Sequence, residues 1–195
     1  MNILILSDFV GCGNVAMGVA RSVLTHMGHN ALCLPTALVS NTWNLGAPAV
    51  LDTTAYLQEA LAVWERLGIQ PEGVLLGYLA DEAQTVFIEE QCRRWREKGI
   101  KIFLDPIFAD NGKLYRGITA ARIAFLKRLL PHIDNVLPNV TEAQVLTGEA
   151  DSMAAARALV QLGADCAVLT GAGFASEFYI NKSFFAFMIF SMAAI

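Results

Sequence analysis

The chain has 195 residues, the length of a single domain. Its composition, 55% hydrophobic and 16% charged, supports a sizeable core and excludes an intrinsically disordered chain. The formal net charge is −4 and no basic stripe occurs, which argues against a nucleic-acid partner.

The cysteines and the apolar run near the end of the sequence argue against further classes of protein. The four cysteines are scattered without any C-x-x-C pair, which predicts neither a disulfide framework nor a zinc site and fits a reducing, cytoplasmic location. The apolar run at 183–195 has only 13 residues. A helix that crosses a bilayer needs about 20, so no membrane partner is expected.

Short apolar runs alternate with stretches at helical spacing along the chain. We predict strands at 2–7, 31–35, 73–78, 100–104, 135–138 and 166–170. We predict helices at 14–27, 53–67, 82–98, 119–130 and 152–162, and a further helix whose capping box is formed by Thr141 and Gln144. The segment 36–48 contains polar and turn residues and predicts a loop.

This order of elements predicts an α/β fold. Strands of about five residues, each followed by a helix, indicate right-handed βαβ units and a mostly parallel sheet with helices on both faces. Ligands of such sheets bind beyond the carboxyl ends of the strands. We therefore expect the functional residues in the loops that follow the strands.

The stretch "GCGNVA" at 11–16 matches the G-x-G-x-x-A pattern of dinucleotide-binding folds. That pattern also needs an acidic residue about 20 positions on, and no Asp or Glu occurs between Phe9 and Leu51. A glycine-rich loop that lets the backbone approach a small ligand is the favoured interpretation.

Carboxylates cluster at two predicted strand ends. In "DPIFADNGKLY", Asp105 and Asp110 lie around a proline, where they are either turn residues or part of a site. Glu142 follows the next strand and is either a first-turn helix acid or a partner of Asp105. Mg²⁺ binds through one or two carboxylates plus substrate phosphates, so the pair of Asp105 and Glu142 is a candidate magnesium site.

A family resemblance rests on several motifs in order. "SDFVGCGNVA", "LPTALVSNTWN", "GYLAD", "DPIFADNGKLY", "NVLPNVTEAQVLTG" and "CAVLTG" resemble the pyridoxal kinases of the ribokinase-like superfamily. The resemblance implies a three-layer α/β/α fold with a mostly parallel central sheet, incomplete at its C-terminus. Residues 1–171 would form the N-terminal portion of that fold, and 172–195 a divergent apolar tail.

The resemblance also implies an activity and a set of site residues. The family transfers the γ-phosphate of ATP, with Mg²⁺, to the 5′-hydroxyl of pyridoxal, pyridoxine or pyridoxamine. The implied substrate-binding residues are Ser7, Thr42, Trp43 and Tyr78, and the implied lid residues are Asp110 and Tyr115. The implied ATP-binding residues are Asp105, Leu137, Asn139, Glu142 and Thr170, of which Asp105 and Glu142 would bind the metal. A homodimer is usual in the family.

The chain departs from the family in two places. "SNTW" stands where the family has S-N-H-T or S-T-H-T, so Thr42 or Trp43 takes the position of a substrate-contacting threonine. The family's G-x-G-D turn, whose aspartate is the catalytic base, is expected beyond residue 195. We therefore assign no catalytic residue and expect this chain to be inactive. Hydroxymethylpyrimidine kinase and a non-catalytic vitamin-binding relic remain the alternatives.

Overall fold

A computed structural model describes residues 1–80, 82–171 and 177–180. Its strands are β1 Asn2–Cys12, β2 Asn30–Asn41, β3 Val50–Asp52, β4 Gly73–Leu76, β5 Lys101–Leu104, β6 Ala109–Asp110, β7 Lys113–Leu114, β8 Asn135–Val136, β9 Cys166–Leu169 and β10 Glu177–Ile180. Its helices are α1 Met17–His26, α2 Thr54–Arg66, α3 Glu82–Glu97, α4 Ala120–Leu129, α5 Val140–Thr147 and α6 Ser152–Gln161. Most of the predicted tail at 172–195 lies outside the described residues.

The main sheet is mostly parallel, as predicted. Its eight strands lie in the order β10-β9-β8-β5-β4-β1-β2-β3. The six strands from β9 to β2 pair in parallel, and β3 and β10 add an antiparallel strand at each edge. The carboxyl ends of β9, β8, β5, β4 and β1 are therefore neighbours along one edge.

The two faces of the sheet are covered unequally. The larger core packs one face against α2 to α6, with Leu4, Leu76 and Leu104 among its fully buried side chains. The opposite face contributes Ile3 and Ile5, and among the described residues α1 is the helix that packs on them. Among the described residues, no helix is long and apolar enough to cross a membrane.

The first two strands extend further than predicted. β1 runs to Cys12 instead of residue 7, and β2 runs to Asn41 instead of residue 35. The two strands pair along their length, with a shift in register between Ser7 and Phe9. Because β3 pairs with the other side of β2, residues 36–41 of the predicted 36–48 loop are hydrogen-bonded as sheet, and the rest of the segment lies outside the strands. Gly11 consequently lies within a strand, whereas the rest of the predicted glycine-rich loop, residues 13–16, connects β1 to α1 as a loop.

Candidate active site

A cavity of about 820 Å³ lies at the carboxyl edge of the parallel strands. The residues predicted for nucleotide, metal and lid all line it: Asp105, Asp110, Tyr115, Leu137, Asn139, Glu142 and Thr170. Asp8 and the first turns of α1 form the opposite wall. The strand order brings these residues together, because β5, β8 and β9 are adjacent and each ends at this cavity.

Asp105 follows the last residue of β5 and is the most perturbed carboxyl group of the site. Its backbone amide donates to Leu76 O at 2.8 Å, which continues the pairing with β4. Burial, together with the charges of Glu142 and Asp8, raises its pKa to about 7, although a backbone hydrogen bond from Ile107 opposes the shift. Ile107 itself has φ 41°, a conformation that a β-branched residue seldom adopts. The backbone thus turns sharply behind a carboxyl group that lies close to other negative charges.

Glu142 is buried, with 2% of its surface exposed, and is hydrogen-bonded to backbone amides. Oε1 accepts from Phe108 N at 2.9 Å and from Ala109 N at 3.4 Å, and Oε2 accepts from Asn139 N at 3.0 Å. Burial raises its pKa although these amides oppose the shift. The structure therefore shows a helix-capping role for Glu142, in a side chain that also lines the cavity.

The predicted capping box of Thr141 and Gln144 is wrong by two residues. Asn139 is the N-cap of α5, and it exchanges hydrogen bonds with Glu142. Asn139 has the extended backbone that an N-cap needs, whereas Thr141 already lies in the helix. Thr141 Oγ1 instead accepts from Gly112 N at 2.9 Å, and Gln144 donates to Ala150 O.

The predicted lid is a small hairpin made of β6 and β7. Its turn places Asn111 at φ 50° and Gly112 at φ 75°, the left-handed pair that a two-residue hairpin favours. Asp110 accepts from the backbone and side chain of Asn111, and it is exposed. Partial burial and the charges of Glu142, Asp110 and Asp105 raise the pKa of Tyr115 to about 12.

The four predicted substrate residues lie outside the lining of this cavity. Ser7 is buried and contacts Asp8 and the Tyr78 backbone. The Arg122 guanidinium lies over the Tyr78 ring, with Arg122 Cζ 5.0 Å from the centroid of the ring. Thr42 packs beside Gly13, and the exposed Trp43 ring lies 5.9 Å from Arg116 Cζ.

Sequence reasoning missed Asp8 at this edge. Asp8 lines the cavity, and burial raises the pKa of its carboxyl group. A carboxylate directly after Ser7 in the first strand was a usable signal for it.

Gln84 is expected from the sequence to form a capping box with Asp81, which lies outside the described residues. Gln84 is fully buried; its Oε1 accepts from Ala80 N, and its Nε2 donates to Thr36 O and Thr54 Oγ1.

The donor set of the cavity suits a magnesium ion that also binds phosphate. Among the described residues no group of three or more His, Cys, Asp and Glu is placed to hold a metal ion. Glu142 is largely committed to backbone amides, which leaves Asp105 as the carboxylate best placed to face the ion. Mg²⁺ typically uses one or two carboxylates, water and substrate phosphates, so the residues fit such an ion.

The fold and the cavity define a family. Residues 22–187 match the model described as phosphomethylpyrimidine kinase, and the chain belongs to that family. The ribokinase-like α/β fold expected from the sequence is confirmed by the solved structures that it resembles.

Three relatives show how the chain compares with known proteins. A proposed pyridoxal kinase of Schizosaccharomyces pombe is 30% identical over 152 residues, which are 75% of this chain and 48% of that protein. A hydroxymethylpyrimidine/phosphomethylpyrimidine kinase of Aquifex aeolicus is 26% identical and covers 94% of this chain and 75% of its own length. The structure of a proposed phosphomethylpyrimidine kinase from Bacteroides thetaiotaomicron, in a crystal form with pyridoxal, is 27% identical with a TM-score of 0.80.

This chain is considerably shorter than two of those relatives. It spans 48% of the Schizosaccharomyces pombe protein, and it covers 62% of the Bacteroides chain, which in turn aligns with 86% of it. The two kinase specificities both occur among the relatives, so family membership alone does not select between them.

Proposed function

We propose that this chain belongs to an enzyme that transfers the γ-phosphate of ATP to the 5′-hydroxymethyl group of pyridoxal, pyridoxine or pyridoxamine. The observation that carries the proposal is the cavity at the carboxyl edge, which gathers Asp105, Asn139, Glu142 and Thr170 from three adjacent strand ends. The name of the Schizosaccharomyces pombe relative and the pyridoxal in the Bacteroides crystals support the choice of a B6 vitamer.

Each residue of the cavity has a role in this proposal. Asp105 would bind Mg²⁺, and Asn139 and Glu142 would hold the loop after β5 and the start of α5 around the nucleotide. Leu137 and Thr170 would line the nucleotide side, and the hairpin that contains Asp110 would cover it. Mg²⁺ would supply neutralisation of the phosphate charge, which together with positioning accounts for most catalysis of phosphoryl transfer.

The substrate side is proposed to lie toward Ser7, Thr42, Trp43 and Tyr78. Tyr78 would pack near the ring of the substrate, and the Arg122 guanidinium that lies on its ring would keep it in place. No general base is assigned among the residues that the structure describes. The homodimer and the cytoplasmic location remain part of the proposal.

A second candidate is phosphorylation of hydroxymethylpyrimidine. The matching family model and the Aquifex relative both have that name, which favours it as the alternative. The substrate again carries a hydroxymethyl group on a flat nitrogen-containing ring, so the same cavity would serve. A protein that binds the ring without phosphorylating it is the third possibility.

Two measurements test the proposal. Thermal unfolding of this chain is followed with pyridoxal or hydroxymethylpyrimidine, because a ligand that binds the folded state stabilises it by mass action. ADP release from Mg-ATP is then measured with each ring on a chimera in which the C-terminal third of a related kinase follows Gly171, since this chain itself is expected to be inactive. Stronger stabilisation by pyridoxal, with ADP release by the chimera, supports the B6 kinase, and the same pattern with hydroxymethylpyrimidine supports the alternative. Stabilisation without ADP release by the chimera would contradict the proposed activity and indicate a binding protein.

A further inference from the structure

The segment 78–80 follows β4 without forming a helix or a strand, and side chains from other elements hold its backbone. Tyr78 N donates to Ser7 Oγ at 3.3 Å, and Tyr78 O accepts from Thr36 Oγ1 at 2.5 Å. The Arg122 guanidinium, which lies over the Tyr78 ring, donates to the carbonyl group of the next residue. Because these backbone groups are bonded within the protein, the segment has a defined conformation before any ligand binds.

Gln84 holds the far end of this segment and connects it to two other elements. Its side chain is fully buried, and its Oε1 accepts from Ala80 N at 2.7 Å. Its Nε2 donates to Thr36 O at 2.9 Å and to Thr54 Oγ1 at 3.1 Å. A glutamine that served only the start of α3 would not need these two bonds, which reach β2 and α2.

The bonds of Gln84 and Thr36 form one connected network around the segment. Gln84 binds the Ala80 amide directly, and it binds the carbonyl group of Thr36, whose hydroxyl group binds Tyr78 O. Thr36 and Gln84 are both 0% exposed. A buried polar network with its members bonded to each other fixes the conformation of the backbone that it contacts. The two ends of the segment therefore depend on the same glutamine.

On the basis of the proposed function, we propose that Gln84 is a positioning residue for the substrate ring, because it holds the segment that carries Tyr78. Tyr78 is half-buried, so part of its side chain is accessible to a ligand, whereas Gln84 is enclosed by protein. A binding residue on a fixed segment loses little conformational freedom when its ligand binds. Loss of the support should therefore lower affinity for the ring although Tyr78 is still present.

A role in the stability of the fold alone is the alternative for Gln84. The two roles differ in what a mutation changes. A purely structural residue affects the free energy of unfolding and leaves the affinity of the folded protein unchanged. A positioning residue also lowers the affinity of the folded protein for the ring. It should spare Mg-ATP, which is proposed to bind at Asp105 and Thr170 on the ends of other strands.

The test is titration calorimetry of the 195-residue protein, well below its unfolding temperature, with Mg-ATP and with whichever of pyridoxal and hydroxymethylpyrimidine it binds more tightly. Gln84→Met is the main variant, because methionine has a similar length and volume and forms none of the three hydrogen bonds. Thr36→Val is the second variant, and it removes the bond to Tyr78 O with a side chain of the same shape. It tests the segment independently if Gln84→Met does not fold.

We expect Gln84→Met to weaken ring binding by roughly 5- to 50-fold and Thr36→Val by roughly 3- to 10-fold, as for the loss of buried hydrogen bonds. Mg-ATP affinity should change by less than about 2-fold in both variants, a difference of less than about 0.5 kcal/mol. Circular dichroism should confirm that each variant is folded at the temperature of the titration.

Asp134→Asn is the matched control, because it disturbs a buried polar network at the opposite end of the sheet. Asp134 is 5% exposed, and it accepts from Ile102 N at 2.9 Å and from Lys101 Nζ at 2.6 Å, at the amino ends of β5 and β8. The variant should lower the stability of the fold and leave ring affinity unchanged. It therefore separates a local effect on the ring from a general effect of destabilisation.

Three results would overturn the inference while ring binding by the unaltered protein still supported the proposed function. They are ring affinity that is unchanged in the folded Gln84 and Thr36 variants, a loss equal to that for Mg-ATP, and an equal loss in Asp134→Asn. Failure of the unaltered protein to bind either ring would overturn the proposed function and, with it, this inference.

Discussion

Asn139 and Glu142 cap the same helix by exchanging hydrogen bonds across its first turn. Asn139 Oδ1 accepts from Glu142 N at 2.9 Å, and Glu142 Oε2 accepts from Asn139 N at 3.0 Å. Each side chain also contacts the loop after β5: Asn139 donates to Ala109 O, and Glu142 accepts from Phe108 N. The start of α5 and the base of the hairpin at 109–114 are therefore held together as one unit beside Asp105.

This unit predicts a difference between two neighbouring polar residues. Asn139→Ala should lower the free energy of unfolding by about 1–2 kcal/mol, because it removes the N-cap and the bond to Ala109. Thr141→Ala should lower it by less than about 0.5 kcal/mol, since its hydroxyl group accepts a hydrogen bond from Gly112 N in the exposed hairpin turn and caps no helix. Urea denaturation measures both values. Equal losses in the two variants would restore the Thr141 capping box.

The raised pKa of Asp105 predicts how stability depends on pH. In the folded state Asp105 has a pKa of about 7, whereas the usual pKa of an aspartate side chain is 3.8. Between these values the folded state binds more protons than the unfolded state, so the free energy of unfolding falls as pH rises. The raised pKa of Glu142 acts in the same direction.

The unaltered protein should therefore lose stability as the pH rises from 5 to 8. Asp105→Asn should make that loss smaller by roughly 1–3 kcal/mol, since one pKa unit corresponds to ~1.36 kcal/mol. Urea denaturation of the unaltered protein and the variant at both values measures this difference. The same pH dependence in both proteins would mean that Asp105 titrates near its usual value.

Gly77 is required because of packing and not because of its backbone conformation. A Cβ at this position would lie 2.5 Å from Ser7 Oγ, 3.0 Å from Ser7 Cβ and 3.2 Å from Ile107 Cδ1. Gly77→Ala should therefore destabilise the protein by about 1–3 kcal/mol, the usual range for overpacking.

Gly18→Ala is the matched control for Gly77→Ala. Gly18 lies in the first turn of α1, and among the described residues its added Cβ would meet only Asn14 Oδ1, at an ordinary 3.7 Å. We expect it to be neutral or to stabilise the protein by up to about 1 kcal/mol, as alanine does in helices. Chemical denaturation of both variants decides the point, and a neutral Gly77→Ala would contradict the packing argument.

Tyr78 and Arg122 should be coupled energetically. The Arg122 guanidinium lies 5.0 Å from the centroid of the Tyr78 ring, and it also donates to Leu79 O. A double-mutant cycle with Tyr78→Leu and Arg122→Met should give a coupling of about 0.5–2 kcal/mol in unfolding free energy. A cycle with Trp64→Leu in place of Tyr78→Leu, on helix α2, serves as the control and should give none. A coupling near zero for Tyr78 would mean that the two side chains do not support each other.

The sequence was sufficient to predict the order of elements and the edge that carries the site. Continuous apolar runs such as 166–169 favour strands covered on both sides, and the right-handed βαβ units then place successive strands in one parallel sheet. Asp105 and Glu142 could be placed together because neighbouring strands end side by side.

Other features depended on pairing that a single segment does not reveal. Residues 36–41 have loop-like composition, and they are strand because β1 and β3 satisfy their backbone on both sides. N-x-x-E at 139–142 and T-x-x-Q at 141–144 are equally good capping patterns, and only the extended backbone at Asn139 separates them. Asp8 lines the cavity and Ser7 does not, because Ser7 packs against Gly77, and local composition does not determine that packing.

The central claim is that Asp105 serves a metal and phosphate site and not the ring. Titration calorimetry of Asp105→Asn with Mg-ATP and with pyridoxal tests it most directly, with Glu142→Gln measured alongside. We predict that Asp105→Asn weakens Mg-ATP binding by roughly 10-fold or more, as for the loss of a charged contact, and leaves pyridoxal affinity largely unchanged. Unchanged Mg-ATP affinity in both variants would contradict the account and return Asp105 and Glu142 to roles in the turn and the helix cap.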